Sequence, residues 1–195
     1  MPFFNYLDEY SDITDITFNH RKRFAPMDKF SEHLLRGKSA LSIPERELVA
    51  AFVSGLNGCS YCLGTHAAVA KNFGISPTII EGLLSDIDHS GISQKMIPIM
   101  KYVKKLTLTP SRIVMKDAQE VFDMGWDEQA LEDVICICSL FNFFNRLLDG
   151  HGIKGTNDLY QMGADHLSKN GYKVPWFIKY IKGYIRKSKI KLLKQ

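Results

Sequence analysis

The sequence predicts an all-α fold, and three observations support this prediction. Apolar residues recur at helical spacing through most of the chain, capping residues precede these segments and glycines follow them, and no run alternates apolar and polar residues for long enough to require a strand. The chain has 195 residues, of which 45% are apolar. It is therefore long and apolar enough to form one domain around a hydrophobic core without disulfides as staples.

The best-marked helix begins after Ser42, because Ser42 and Glu45 match a capping box and Pro44 suits a first helical turn. Gly55 and Gly58 are expected to end it. Later helices are marked in the same way by capping residues, prolines and glycines. In order, these predicted helices begin near Cys59, Ser76, Ser93, Met115, Asp127 and Asn157 and end near Gly74, His89, Leu106, Met124, Leu148 and Ser168.

A faint internal repeat at an offset of 85 residues raises the alternative that the fold is built from a duplicated helical unit. Three residues of the helix after Ser42 recur in the helix after Asp127, since Glu47, Ser54 and Asn57 fall on Glu132, Ser139 and Asn142. The second copy has Phe144 and Leu147 where the first has Cys59 and Cys62. Three matches also arise by chance, so duplication and coincidence both stay open.

The charge distribution divides the chain into a body, residues 1–172, and a basic tail, residues 173–195. The tail holds eight of the 25 basic residues and none of the 21 acidic ones, which leaves the body with 17 basic residues and a net charge of −4. Apolar residues in the tail alternate with cations at helical spacing. We expect an amphipathic helix that either docks on the body or another subunit, or makes peripheral contact with an anionic membrane. The acidic body and the lack of a recognition motif argue against nucleic acid as a partner.

The N-terminal residues and the cysteines predict a cytoplasmic protein. No basic region with a long apolar run follows Met1, and Asp8 and Glu9 come early, so a signal peptide is not expected. No stretch approaches the ~18 uninterrupted apolar residues that span a bilayer. Four cysteines in a chain of this length do not resemble a secreted disulfide scaffold.

The candidate functional site is the pattern E-x11-C-x2-C-x3-H, formed by Glu47, Cys59, Cys62 and His66. Two thiols three positions apart can close to a disulfide, and a thiol at a helix N-terminus is acidified by the helix dipole. His66 is four residues beyond Cys62 and shares its helical face. An antiparallel hairpin would bring Glu47 beside His66, so that the two form a proton relay.

Two other interpretations of the thiols stay open. A C-x-x-C pair can be half of a zinc site, but the remaining cysteines, Cys136 and Cys138, point to different helix faces and make a poor chelating pair. Both cysteines of the pattern could also be inert core residues. The cluster of phenylalanines from Phe141 to Phe144 predicts core or a subunit interface, or an apolar passage to Cys62. The histidines outside the pattern show no evident partner and are expected at the surface, with His151 in a loop.

The motif resembles that of the carboxymuconolactone decarboxylase / alkylhydroperoxidase D-like superfamily, and is most similar to its peroxidase-related branch. The resemblance extends through residues 105–111 to the segment from Phe141 to Asp149. It implies an alkylhydroperoxidase D-like helical fold, a homo-oligomer (trimer or hexamer), and reduction of a hydroperoxide without cofactor or metal. A dithiol reductant, either a thioredoxin-like or a lipoyl-bearing protein, would regenerate the thiols.

The resemblance also implies roles for the site residues. Cys62 would be the peroxidatic thiol, Cys59 the resolving thiol and the more exposed of the two, and His66 with Glu47 the proton relay. The helix-terminus argument instead favours Cys59 as the lower-pKa thiol, and we side with Cys62 because proton delivery matters as much as thiolate fraction. Tyr61 stands where the archetypal enzyme has a second histidine, so efficient turnover is in doubt. A redox sensor, a disulfide-exchange protein and another acid–base reaction stay as alternatives.

Overall fold

The computed structural model describes residues 1–173, and this part of the chain contains nine α-helices and no β-strand. The all-α class is therefore confirmed. The helices are α1 Ile13–Asn19, α2 Arg21–Arg36, α3 Ile43–Leu56, α4 Ser60–Asn72, α5 Pro77–Ser85, α6 Ile97–Leu108, α7 Met115–Asp123, α8 Glu128–Gly150 and α9 Asn157–Asn170. Three single 3-10 turns, Ile87–His89, Gln94–Met96 and Pro110–Arg112, lie in the connections.

Helix α3 forms the centre of the core. Every side chain from Arg46 to Ser54 is buried, because α4, α5, α6 and α8 all pack against this helix. Its apolar run from Leu48 to Val53 is at most 1% exposed. The predicted capping box is present, since the Ser42 N–H donates to Glu45 Oε2 at 2.7 Å and the Glu45 N–H donates to the Ser42 hydroxyl at 3.4 Å.

A tight turn between α3 and α4 places the first cysteine at the start of α4. Gly58 adopts φ +69°, which a residue with a Cβ rarely tolerates. The Cys59 N–H then donates to the Ser54 carbonyl at 3.0 Å, and Cys59 becomes the N-cap residue of α4. The two helices run back along each other as the predicted antiparallel hairpin, and this contact is the most extensive between any two described helices.

Helix α9 packs closely on α4 through glycines. A Cβ on Gly64 would lie 2.4 Å from the Tyr160 ring, and a Cβ on Gly163 would lie 3.1 Å from the Thr65 methyl group. The Tyr160 ring cannot swing away easily, because its hydroxyl donates to the Lys154 carbonyl at 2.9 Å. This close approach brings α9 over the face of α4 that carries the candidate site.

The segment before Ser42 contains two helices, α1 and α2, that the sequence analysis did not assign individually. Pro26 lies inside α2, where its missing N–H usually breaks the helical pattern. Pro98 acts as a start signal instead, because α6 begins at Ile97 and the preceding residues form a 3-10 turn. The predicted helix from Ser93 is therefore shortened at its beginning.

The two segments of the internal repeat differ in structure. Glu47 and Ser54 are fully buried, whereas Glu132 and Ser139 at the matching positions are exposed. Helix α8 also continues without interruption through the positions that match the turn between α3 and α4. The two segments therefore share a capped apolar helix but not the hairpin that carries the cysteines.

The predicted basic tail lies outside the described residues except for Lys173. Its amphipathic character and its contacts stay predictions, as does the boundary after residue 172. Within residues 1–173, none of the helices combines the length and the hydropathy that a bilayer span requires.

Substituting Gly64 with alanine tests the close contact between α4 and α9. Alanine favours a helix interior by about 1 kcal/mol over glycine. At this position, however, its methyl group would overlap the Tyr160 ring, which a hydrogen bond holds in place. We expect Gly64→Ala to lower the free energy of unfolding by about 1–3 kcal/mol through overpacking, as measured by urea denaturation. Gly150→Ala, at a helical position with no atom within 4 Å of the added Cβ, is the matched control and should be neutral or stabilising. Equal stability changes in the two variants would contradict the contact.

Candidate active site

The candidate site is built around the carboxylate of Glu47, which is completely buried on α3. Three side chains from three other segments contact this carboxylate. His66 Nδ1 on α4 lies 2.7 Å from Oε2, the Arg36 guanidinium on α2 lies 2.5 Å from Oε1, and the Tyr172 hydroxyl donates to Oε1 at 3.1 Å. The predicted pairing of Glu47 with His66 is therefore present. Arg36 and Tyr172 were not anticipated from the sequence.

Glu47 is held as a carboxylate despite its burial. Burial alone raises the pKa of a carboxyl group, but the hydrogen bond and charge of His66 and the charge of Arg36 outweigh it and hold the pKa of Glu47 below 4.5. Arg36 is itself held by its surroundings, because it donates to the Leu167 carbonyl and lies 5.0 Å from the centre of the Tyr172 ring. The charge of Glu47 is thus compensated without contact to water.

His66 is fixed by aromatic rings on two sides. The Phe141 ring meets it edge-on with ring centres 4.5 Å apart, and the Tyr172 ring lies parallel to it at 6.4 Å. Since Nδ1 is engaged with Glu47, Nε2 is the ring nitrogen that can exchange a proton with other groups. His66 and Cys62 line the same cavity, as their shared helical face predicts, but in the part of the chain described no hydrogen bond joins the His66 ring to the Cys62 sulfur. Glu47 holds the ring instead.

The two thiols of the motif lie side by side and unoxidised, and both are buried. Cys59 is 0% exposed and Cys62 is 3% exposed. The expectation that Cys59 is the more exposed thiol is therefore wrong, because the residues that follow α8 cover it. The Lys154 carbonyl in this connection accepts a hydrogen bond from Ser60 at 3.1 Å, next to Cys59 in the chain.

The interaction between the two thiols shifts their pKa values in opposite directions. Accepting a hydrogen bond from the Cys62 thiol lowers the pKa of Cys59 below 9.0, although burial and the charge of Asp149 oppose this change. Donating that hydrogen bond, together with burial, raises the pKa of Cys62 well above 9.0. The lower pKa belongs to Cys59, as the helix-terminus argument predicts. The choice of Cys62 as the peroxidatic thiol depends on proton delivery and stays a prediction.

Helix α8 supplies a polar neighbour to each thiol. Asn145 is 1% exposed, contacts Cys62, donates to the Ser54 hydroxyl at 3.0 Å and accepts from Asn57 at 2.8 Å. Its hydrogen bond lowers the pKa of Cys62, against the larger effects of Cys59 and burial. One turn later, the charge of Asp149 raises the pKa of both thiols.

A mostly apolar cavity of about 420 Å³ reaches Cys62 and His66. Cys59 is not among the residues that line it. The apolar part of the wall comes from α8 and α9 and from Ile13, and comprises Ile13, Phe141, Phe144, Leu148, Leu159, Met162 and Leu167. The expected apolar passage to Cys62 is thus present, although Phe143 does not contribute to it and is 42% exposed.

Tyr61 lines the same cavity and remains a neutral phenol. It is 6% exposed, and burial together with the charge of Asp12 raises its pKa well above 10.0. At neutral pH it can donate a hydrogen bond but cannot act as a base, as predicted. Its edge contacts Tyr160 of α9, with ring centres 6.2 Å apart.

The remaining histidines and cysteines lie away from the thiols, with one exception. His151 ends α8 and bonds the Leu147 carbonyl, as expected for a loop residue. His89 is exposed but pairs with Asp86 at 2.7 Å, so the expectation that it has no partner is wrong. His166 is exposed and also lines the cavity, which the sequence analysis missed. Cys138 contacts the Thr107 hydroxyl in the core.

Residues 1–173 thus define a class of helical protein with a buried C-x-x-C dithiol, a Glu–His pair and an apolar cavity between them and the surface. Comparisons agree with this class. Residues 24–88, which contain the whole motif, match the model of the carboxymuconolactone decarboxylase family. The uncharacterised protein YdfG of Bacillus subtilis (strain 168) is 25% identical over 121 residues, which are 62% of this chain and 79% of that protein.

Solved structures share the fold. An uncharacterised peroxidase-related protein from Silicibacter sp. TM1040 superposes with a TM-score of 0.69 at 20% identity, over 82% of this chain and 94% of its own. An uncharacterised peroxidase-related protein with an alkylhydroperoxidase core, from Ralstonia eutropha JMP134, superposes with a TM-score of 0.69 at 19% identity. The match covers 77% of this chain and 80% of that protein's chain. Together with the family match, these similarities confirm the resemblance to the carboxymuconolactone decarboxylase / alkylhydroperoxidase D-like superfamily.

Removal of Cys62 should raise the pKa of Cys59, whereas removal of Cys59 should lower the pKa of Cys62. In Cys62→Ala, Cys59 loses the interaction that lowers its pKa, while burial and the charge of Asp149 remain, so its pKa rises. In Cys59→Ala, Cys62 loses the group that most disfavours its ionisation, so its pKa falls. The ultraviolet absorbance of the thiolate against pH measures both. Cys62→Ser keeps a hydroxyl donor and is the matched control, in which the pKa of Cys59 should stay lower than in Cys62→Ala. The same pKa in both variants would contradict the hydrogen bond.

Glu47 should stabilise the fold above pH 4.5 and lose this effect in acid. Because the folded-state pKa is lower than the unfolded one, its contribution is complete above the unfolded value and disappears as the pH falls through the folded value. At neutral pH, Glu47→Gln leaves the Arg36 charge unpaired and should cost about 3–5 kcal/mol. Urea denaturation at a series of pH values should show the difference shrinking in acid. Glu132→Gln, on an exposed part of α8, should show no such dependence.

Proposed function

We propose that this protein reduces hydroperoxides with Cys59 and Cys62 as a dithiol that cycles to a disulfide. The observation that carries the proposal is the position of Cys62, which lines an apolar cavity together with His66 and lies three residues after Cys59, the N-cap of the same helix. Family and fold are consistent with this chemistry. Both electrons come from the thiols, so the proposed cycle uses no metal or cofactor.

Before the first step, Cys59 is a thiolate, Cys62 is a thiol and His66 carries the proton that Cys59 has lost. The Cys62 proton passes to the Cys59 thiolate, and the Cys62 thiolate formed in this way attacks the terminal oxygen of the hydroperoxide. The sulfur–oxygen bond forms as the oxygen–oxygen bond breaks, which leaves Cys62 as a sulfenic acid and releases an alkoxide. The alkoxide needs a proton to leave as an alcohol. His66, protonated and held by Glu47, is the group on the cavity wall that can supply this proton.

In the second step, Cys59 attacks the Cys62 sulfenic sulfur. The disulfide forms, and the hydroxide that leaves takes the Cys59 proton and becomes water. The sum is one hydroperoxide and two thiols converted to one alcohol, one water and one disulfide. Because the thiols are already in contact and start adjacent turns of α4, the disulfide needs only local movement of α4.

The burial of Cys59 limits how the disulfide can be reduced back to two thiols. A reductant must reach the disulfide either through the cavity at Cys62 or by displacing the residues that cover Cys59. We propose a dithiol protein in the cytoplasm, thioredoxin-like or lipoyl-bearing, as the reductant, and a homo-oligomer (trimer or hexamer) as the functional form. Peripheral membrane contact through the basic tail stays an alternative to docking on the body.

A redox-sensing or disulfide-exchange protein is the second candidate. The raised pKa of Cys62 favours it, because a thiol that is mostly protonated at neutral pH attacks peroxides slowly. The neutral Tyr61 adds no base to compensate. Under this alternative, the disulfide forms reversibly but peroxide turnover is slow and does not depend on His66.

Stopped-flow measurement of hydroperoxide consumption by the reduced protein tests the proposal. Cys62→Ser should abolish the fast reaction, and His66→Asn should slow it by about 10²–10⁴-fold, the usual contribution of a general acid. Cys136→Ser removes a cysteine outside the site and should leave the rate unchanged. Equal rates in the wild type and in Cys62→Ser would reject peroxide reduction. A rate that depends on Cys62 but not on His66 would favour the second candidate.

A further inference from the structure

A second concave region adjoins the cavity, and the two differ in charge. This region is a groove of about 520 Å³, formed mainly by α2 and the residues that follow α9. Its wall carries four cations and two carboxylates, a net charge of +2, from Arg21, Lys29, Arg36, Lys173, Asp28 and Glu32. The cavity wall carries the carboxylates of Asp12 and Asp28, and the described residues that line it include neither a lysine nor an arginine.

The Tyr172 side chain separates the two spaces. It lines both of them, and Asp28 is the other described residue that does so. The guanidinium carbon of Arg36, which lines the groove, lies 5.0 Å from the centre of the Tyr172 ring. The ring of His66, which lines the cavity, is parallel to the same ring at 6.4 Å. The Tyr172 ring is therefore a wall common to the groove and the cavity, and we call it the partition.

The partition is held at the side-chain hydroxyl and at the backbone. The Tyr172 hydroxyl donates to Glu47 Oε1 at 3.1 Å, and the Tyr172 N–H donates to Glu32 Oε2 at 2.7 Å. Gly171 permits the second contact, because it has φ +66° and a Cβ there would lie only 2.5 Å from Glu32 Oε2. These contacts keep the ring in its position between the two spaces.

The cavity is an unfavourable place for an anion. Its wall is mostly apolar, so an anion that enters loses its water, and the described wall residues offer no lysine or arginine in exchange. Of the two histidines on the wall, His166 is exposed, and His66 already faces the Glu47 carboxylate at 2.7 Å. The two carboxylates of the wall add like charge. An uncharged apolar molecule meets none of these penalties.

We propose that Tyr172 is a specificity-determining residue, which separates the cavity from the cationic groove so that uncharged apolar molecules reach Cys62 and anionic ones do not. For the substrate, this inference rests on the proposed function, and it assigns the substrate to the uncharged apolar hydroperoxides and excludes those that bear a carboxylate. Glu32 is a positioning residue that acts through Tyr172. Without the partition, the cavity would open to the groove, whose cations would stabilise an anion on its way to Cys62.

The test compares iodoacetate with iodoacetamide, two alkylating reagents of similar size that differ in charge, on the full-length reduced protein. Mass spectrometry gives the rate of reaction at Cys62 with each reagent. The ratio of the iodoacetate rate to the iodoacetamide rate is then divided by the same ratio in the urea-unfolded protein. We expect a normalised ratio of about 0.1 or less in the wild type, because the anion must be desolvated without a partner. A wild-type ratio close to that of the unfolded protein would overturn the proposal.

Removal of the partition should raise the ratio and make it depend on the groove. Tyr172→Ala should raise it by about tenfold, and the addition of Lys29→Met, which removes an exposed groove cation, should lower it again by about two- to fivefold. With Tyr172 present, Lys29→Met should have no effect. Lys22→Met, which removes an exposed lysine of the same helix outside the groove, is the matched control and should have no effect in either background. The absence of a rise, or a rise that does not depend on Lys29, overturns the proposal.

Two variants of Glu32 test the partition without removing its ring, and they also serve if Tyr172→Ala does not fold. Glu32→Gln keeps an oxygen that accepts from the Tyr172 N–H and should keep the wild-type ratio, whereas Glu32→Ala should raise it. Equal ratios in these two variants contradict the proposal.

These readouts need no peroxide, so the inference and the proposed function can fail separately. A protein that shows the expected ratios and consumes no hydroperoxide keeps the inference and loses the function. A protein that consumes cumene hydroperoxide and its para-carboxylate at equal rates keeps the function and loses the inference.

Discussion

The site depends on one buried carboxylate. Glu47 lies at the centre of the core, where an isolated charge would be very unfavourable, and it persists there because Arg36, His66 and Tyr172 satisfy it from three directions. The same contacts orient the imidazole of His66 toward the cavity. A charge that is fully compensated on one side of the ring leaves only the other nitrogen free for proton transfer. Stability and chemistry therefore draw on the same contacts.

The surroundings of each thiol likewise determine its acidity and its access to small molecules. Cys59 begins α4 and accepts a hydrogen bond from Cys62, which makes it the more acidic thiol. Cys62 lines the cavity and is the thiol that a small molecule meets first. Acidity and access are thus divided between two sulfurs.

The sequence predicted what is local and missed what is brought together by the fold. The hairpin of α3 and α4 and the pairing of Glu47 with His66 followed from capping residues, glycines and helical spacing. Arg36 and Tyr172 could not be predicted, because nothing in a lone arginine or tyrosine indicates a buried carboxylate far along the chain. The exposure of Cys59 was wrong for the same reason, since its cover comes from the connection after α8. The continuous burial of α3 around Glu47 and the exposure of Glu132 on α8 could not be told apart from two similar apolar sequences.

The position of Tyr172 has a consequence for how the site comes into being. Arg36 ends α2 and Tyr172 follows α9, and both must be in place before the Glu47 carboxylate is fully partnered. The hairpin with its two thiols is a local structure that can form much earlier. A partly folded molecule would therefore have both thiols but no correctly held His66 to donate a proton. Its thiols would react with less selectivity than those of the folded protein. The placement of Tyr172, just beyond the end of α9, separates these two states.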